Sequence, residues 1–536
     1  MPYRDIRALL GGRFRIELAD SCSYCSGVAN MSPENKKEGN SYGQILKSSS
    51  LIGGAQGISY VLAMVRVKLV AVLLGPSGVG LVGLYTTITS LISTISNLGL
   101  ETSGVREVAG AHHSGNQALM ASTVKTLFRF CWVVGLLGWL LTAVFSYPLS
   151  IWIFESSERA LAIFLLGATV FLGAVNGGRT ALIQGTRHIG DLARLNVLGA
   201  VASTVVAVGL YAWLGEQGIL PVLIITAAIN LGFASWFAHR IRVVRITQTW
   251  SETLRQSRRL MGIGAAFMFG GVTAAVVALG IRAVIVRNLG LEAGGVYQAA
   301  MALSGIFGNF ILAAMGADFN PRLSASIDDK IKAVKLVNEQ VEIGLLIALP
   351  GMLATLFFST WLMKIFYSSA FLAGAELLPW LIIGVFLHMI SAPLSYILVA
   401  KGSWQPYVIL VTGFHLLFSL FSFILLPYFG LNGIVITNTV LFTVYLLALQ
   451  IVVRNLIDFK WTKNTKKLIL LSGFWMTFGL FVRWISPKEW IEIVGFIVII
   501  GVGVFSLRGV ALRLGKNHRA VSFLYQSRVW KFLCGL

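Results

Sequence analysis

The sequence predicts an all-α polytopic membrane protein. It has about fourteen transmembrane helices, arranged as two six-helix lobes around a central cavity, with a C-terminal helical hairpin added. Three observations carry that expectation. Of 536 residues, 56% are hydrophobic and only 12% are charged, roughly half the charged share of an average soluble domain. Apolar runs long enough to cross about 30 Å of hydrocarbon as a helix of about 20 residues recur along the chain after residue 48. A short motif occurs twice, six spans apart. This composition excludes an ordinary soluble enzyme, and it excludes disorder, which needs low hydrophobicity.

The first six spans fall near 51–74, 80–100, 121–145, 160–182, 194–214 and 219–238. Six more fall near 261–286, 296–318, 340–360, 376–398, 406–427 and 431–453, and two near 468–485 and 491–508 close the series. An even number returns both termini to one side. The organisation that follows is a polar segment 1–47, an N-lobe 48–239, a basic linker 240–259, a C-lobe 260–454, and a hairpin with a basic tail over 455–536. The first 47 residues hold no apolar core long enough for a signal peptide. Met31 begins MSPENKKEGN, an ordinary lead-in to a first span, so residues 1–30 are either an extension without a fold of its own or part of the native chain.

Charge orients the chain. Lys and Arg number 43 against 22 Asp and Glu, a net +21. The segments on one side of the spans take 35 of the cations and those on the other take 5 (Arg159, Arg287, Lys364, Arg483 and Lys488), while Arg66, Lys68 and Arg282 lie inside apolar runs. By the positive-inside rule this asymmetry places both termini in the cytoplasm. It also accounts for the basic balance without a nucleic-acid partner. Cys22 and Cys25 form a single CxxC with no second pair and no neighbouring histidine, so no metal site is expected. No cofactor motif stands out either.

The repeated motif is a glycine-rich hairpin. LGPSGVG (74–80) joins the first two spans and LGLEAGG (289–295) joins the seventh and eighth, each preceded by cations within its helix. Six spans separate them, so the repeats share one orientation, as in transporters built from parallel halves that rock about a central site.

Cations buried in a span cost at least about 2.5–3.5 kcal/mol at the helix centre, and those that persist have a use. Arg66 lies about 12 Å from the outer end of its helix at 1.5 Å per residue; Lys68 is about 200° round from it, and Arg282 sits nearer the end of its own helix. Arg66, Lys68, Arg282 and Arg287 read either as snorkelling and intraprotein partners or as a cationic cleft for an anionic headgroup, to which an arginine fork donates two hydrogen bonds. Glu101 and Glu107 flank Arg106 at the end of span two, and Asp318 precedes Arg322 at the matching end of span eight. These read as local pairs or as coupling and gating groups. His388 and His415 read as packing residues or proton carriers.

No Walker loop, DxD, HExxH or GxSxG stands out, and the longest outer loops, 146–159 and 361–375, reach only about fifteen residues. A membrane-embedded polysaccharide polymerase has no obvious place for its chemistry.

Residues 65–109 (VRVKLVAVLLGPSGVGLVGLYTTITSLISTISNLGLETSGVREVA) resemble the opening hairpin of bacterial O-antigen and common-antigen flippases, within the multidrug/oligosaccharidyl-lipid/polysaccharide exporter superfamily. ALIQGTRHIGDLARLNVLGA (181–200), FNPRLSAS (319–326) and YILVAKGSWQPYVIL (396–410) agree, and the similarity covers roughly 45–455. The resemblance implies two lobes around a cationic cavity. It implies a transporter, not an enzyme, that moves an undecaprenyl-diphosphate-linked oligosaccharide from the inner to the outer leaflet of the bacterial inner membrane in O-antigen and lipopolysaccharide assembly. Lys68 falls where such flippases commonly carry a Lys, and Lys401 of AKGS matches a cytoplasmic loop where the diphosphate would first arrive. Partners implied are the lipid-linked oligosaccharide, membrane lipids, and the polymerase and chain-length machinery that would use the product. A multidrug or metabolite exporter on the same fold is the alternative, although cavity cations favour an anionic cargo.

Overall fold

The structure, a computed structural model, describes residues 38–97, 100–244, 246–261, 265–314, 319–485 and 487–514. Residues 1–30, the CxxC, and the basic tail from 515 lie outside the described residues. The chain divides into two units, Met1–Gly53 and Gly54–Leu536, and the architecture below is that of the second. Among the described residues there is no strand.

The part of the first helix, α1 (Glu38–Asn97), that belongs to this unit would be about 65 Å long if straight, about twice the hydrocarbon thickness. It breaks at Gly75, where φ is 65°, a region open to glycine at little cost. Pro76 follows and suits the first turn of a new helix, where no N–H is needed. The long helices α8 (Ala265–Ala314) and α13 (Trp404–Ile457) break the same way, at Gly290 with φ 85° and Gly430 with φ 55°. Between α5 (Ile189–Leu214) and α6 (Ile219–His239) a short 3₁₀ turn over Gly215–Gly218 does the same. Among the described residues, ten helical stretches are long and apolar enough to cross a membrane; the four just described double back, which makes fourteen passes.

Some loops expected from sequence are helical. Residues 101–113 belong to α2 (Leu100–His113). α3 (Gln117–Phe154) starts on Asn116, whose side chain accepts from the Ala118 and Leu119 amides, and runs nine residues beyond the expected end of its span. α4 (Ala160–Gly185) returns across the membrane. The linker contains a short amphipathic helix, α7 (Trp250–Met261). After α8, the chain continues through α9 (Asn320–Ser326), α10 (Lys330–Phe357), the short α11 (Ser359–Phe366) and α12 (Gly374–Ala400).

The last two spans, α14 (Lys463–Ile485) and α15 (Lys488–Leu514), pack into the C-lobe. Met476, Val482, Val498 and Val502 share one buried core with Leu346, Leu349 and Leu356 of α10. Glu342 of α10 pairs with Arg513 at 2.6 Å and accepts from Thr465 at 2.6 Å. Arg483, an outer cation by sequence, donates to Ser359 Oγ at 2.6 Å and to the carbonyls of Leu356 and Ala375 at 3.3 and 3.0 Å.

The buried cores show where the lobes meet. One, around Leu127, Leu182 and Phe237, draws on the N-lobe and the start of the linker; another, around Leu323, Leu353 and Leu398, draws on the C-lobe and its hairpin. Two others cross between lobes near the cation-poor end. Ala71 and Val79 pack with Ile285 and Phe371, and Leu74, Leu84 and Ile88 with Leu279, Ala283 and Val286. Farther along, α1 and α8 still touch where Gly271 faces Thr94.

Candidate functional site

The two glycine-rich hairpins related by the sequence repeat press against each other. A Cβ on Gly80 would run into the Leu291 carbonyl and lie 2.8 Å from the Gly295 nitrogen; one on Gly295 would run into the Pro76 carbonyl and lie 3.0 Å from the Gly80 nitrogen. Those neighbours are backbone, which cannot swing aside as a flexible side chain does. Only glycine permits this approach, so the repeat makes a backbone-to-backbone seal between the lobes at the cation-poor end.

Two sequence-nominated cations hold that seal. Lys68 Nζ donates to the carbonyl of Lys364 at 2.7 Å and to that of Tyr367. These oxygens lie at the C-terminal end of α11, where a cation satisfies carbonyls that lack helical partners. Arg287 pairs with Glu155 at 2.8 Å and donates to the Trp152 carbonyl at 3.4 Å, joining α8 to the end of α3. Both contacts run from one lobe to the other.

Arg282 and Arg66 lie deeper. α8 runs on to Gly290 before it breaks, so Arg282 stands eight residues in, about 12 Å, and not near its helix end as the sequence suggests. Its Nε and Nη2 donate to Gln298 Oε1 at 3.1 and 2.8 Å, and Nη1 to the Ala278 carbonyl at 3.4 Å. Gln298 in turn lies against Gly83 of the other lobe, where a Cβ would come within 2.9 Å of its Cγ. Arg66 stands nine residues before Gly75 and is also partly buried. It makes no hydrogen bond or ion pair with another described residue. Two arginines, one per lobe, therefore lie at similar depth beneath the seal.

The other nominated residues sit elsewhere. Lys401 follows α12 and lies 3.8 Å from the exposed Asp328. Arg106 and Arg322 are exposed on α2 and α9. The Glu101 side chain and the whole of Asp318 lie outside the described residues. His388 packs against Phe442 at 5.1 Å and His415 against Phe414 at 5.2 Å. Among the described residues no group of His, Cys, Asp or Glu could hold a metal ion.

Residues 69–376 match the family model described as "Polysaccharide biosynthesis protein". The chain belongs to this family. Among curated relatives, the lipid III flippase of Escherichia coli (strain K12) is 22% identical over 378 residues, covering 68% of this chain and 88% of that protein. Similar solved structures include an inward-facing multidrug resistance MATE family transporter of the MOP superfamily, with TM-score 0.63 and 16% identity over 74% of this chain and 95% of that one. The lipid II flippase MurJ, in an inward closed conformation, has TM-score 0.60 and 14% identity over 85% of this chain and 97% of that one. This member of the polysaccharide biosynthesis protein family thus has the fold of the MOP superfamily, and its relatives are flippases and transporters.

Sequence reasoning missed two partners in this family member's site. Gln298 is a lone amide in the apolar run VYQAAM, a signal of the same kind as the buried arginines. Glu155 lies in a segment read as loop, and nothing in its neighbourhood points to Arg287, 132 positions away.

Proposed function

We propose that this protein moves an undecaprenyl-diphosphate-linked oligosaccharide, an O-antigen or related polysaccharide unit, from the inner to the outer leaflet of the bacterial inner membrane by alternating access. Residues 48–239 and 260–454 are the two lobes that rock, 240–259 links them, and both termini are cytoplasmic. The observation that carries the reading is the pair of repeat-related glycine hairpins sealing the cation-poor end above Arg66 and Arg282. A diphosphate cannot enter hydrocarbon unaccompanied, because an unpaired buried charge is prohibitively costly. Arg66 and Arg282 offer it forked donors on both sides of the lobe boundary, with Lys401 at the cytoplasmic approach. Lys68 and Arg287 bear on the opposite, outer step. While the seal is closed they hold it, and once it parts their charges are freed for the departing diphosphate. Glu101, Arg106, Asp318 and Arg322 are assigned to gating at the inner end. The lipid-linked flippases among the relatives support the same reading, and the product would pass to a polymerase with its chain-length machinery.

Reconstitution in proteoliposomes with a fluorescent undecaprenyl-diphosphate-linked oligosaccharide tests this. Wild-type protein delivers the glycan to the far leaflet, and Arg66→Gln with Arg282→Gln abolishes delivery. Intact delivery by that variant, with drug efflux that depends on Glu101, would mark the protein as an exporter of other cargo.

A further inference from the structure

At the cation-rich end of the N-lobe, a cavity of about 670 Å³ opens between α3, α4 and the extended segment after α6. Its lining includes Lys125, Arg129, Arg179 and Arg242, and among the described residues it includes no carboxylate. Two of these cations build the wall. Lys125 Nζ donates to the Ile246 carbonyl at 2.6 Å. Arg129 donates to the Gln248 carbonyl at 2.9 Å and Thr253 Oγ at 3.0 Å, with its guanidinium 4.8 Å above the Trp250 ring. Every one of these partners is neutral, so none of them forms an ion pair with either cation.

The other two cations also face the space. Arg179 is half-buried, its guanidinium 5.0 Å over the Phe128 ring, and neither it nor Arg242 makes a hydrogen bond or ion pair with another described residue. Arg179 is a partly desolvated donor left unpaired, which is costly, and four like charges around one cavity repel each other; a phosphate relieves both. The rim indicates where the phosphate comes from. Val244 is exposed on the cavity lip, and Trp250 and Leu254 are exposed four residues apart on one face of α7, while Thr253 is buried against α3. An amphipathic helix with that exposed apolar face lies in the boundary between headgroups and acyl chains. A choline or ethanolamine head would bring a further cation into a cavity that has no carboxylate to receive it.

We propose that this cavity binds the phosphate of an anionic phospholipid from the leaflet at this end, with Arg179 and Arg242 as ligands and the acyl chains along Val244, Trp250 and Leu254. The bound lipid would tie α3 and α4 to the segment that connects the lobes.

Native mass spectrometry of the full-length protein, titrated with phosphatidylglycerol or phosphatidylcholine, tests the site. Wild-type protein retains phosphatidylglycerol preferentially. The Arg179→Gln/Arg242→Gln variant loses roughly tenfold in phosphatidylglycerol affinity, the scale of one hydrogen bond to a charged group, with phosphatidylcholine retention unchanged. Should the double variant misfold, Arg242→Gln alone, at an exposed position, must reduce the preference. An undiminished preference in the folded variants overturns the proposal. So does displacement of the lipid by micromolar inorganic phosphate or diphosphate, which would make the cavity a free-anion site.

Discussion

The guanidinium of Arg287 meets the carboxylate of Glu155 at 2.8 Å, fastening the turn of α8 before its break at Gly290 to the end of α3. Glu155 adopts φ 55° as the C-terminal cap of α3, a left-handed conformation uncommon outside glycine. The pair is nearly half exposed on one side and more on the other, 48% and 63%, so it contributes about 0–1 kcal/mol and weakens with salt. Glu155→Gln therefore shifts the balance of conformations a few-fold, and the shift shrinks as salt rises. Spin labels at Glu158→Cys and Glu292→Cys, exposed on either lobe, report it as a distance distribution.

The glycine seal is less forgiving. A methyl group at Gly295 meets the Pro76 carbonyl and the Gly80 amide, so Gly295→Ala forces the hairpins apart. The same label pair should move to longer distances in most molecules, and leaflet-to-leaflet delivery should fall. Gly473→Ala on α14, where a Cβ meets nothing within 4 Å, leaves both readouts unchanged.

Removing the Gln298 acceptor strands a partly buried guanidinium. Gln298→Ala costs about 1.5–3 kcal/mol, the value of a hydrogen bond to a charged group, and lowers the melting temperature of the purified protein. Gln298→Glu keeps the acceptor and gives Arg282 a counter-ion. It should restore stability yet impair delivery of an anionic cargo, separating the packing role of this contact from the cargo role.

At the cation-rich end, Asp329 caps α10 by accepting from the Lys332 amide at 3.1 Å. That backbone hydrogen bond, followed by the Lys332 side chain, holds its carboxyl below the ordinary 3.8. A depressed acid stabilises the fold above its unfolded pKa and loses that contribution as pH falls through the folded value. The first turn of α10 should accordingly exchange its amide hydrogens faster below about pH 4. Asp329→Asn, still a good cap, should remove that acid dependence.

Much of this molecule was legible in the order of its residues. The fourteen passes followed from apolar run length, and the hairpins from the glycine-bearing stretches 74–80, 289–295 and 428–430 between apolar runs. Arg66 and Arg282 stood out because a cation in an apolar run is expensive wherever the helix packs. The depth of Arg282 did not, because a glycine-rich stretch can end a helix at any of several residues, and only the break at Gly290 settles it. Helices α2 and α7 are not legible in the same way, since polar surface helices lack the apolar length that marks a span.

What the sequence by itself determined is the set of elements and their costs: where helices must cross, where glycine must turn them, and which charges lipid will not tolerate. Those follow from local chain geometry and transfer free energy. The tertiary structure decided which groups meet. That two hairpins 215 positions apart seal against each other, that Lys68 caps α11 and Arg287 finds Glu155, and that Lys125, Arg129, Arg179 and Arg242 converge on one cavity are matters of packing. Such contacts depend on how two lobes approach each other in space, and no periodicity along one chain records that.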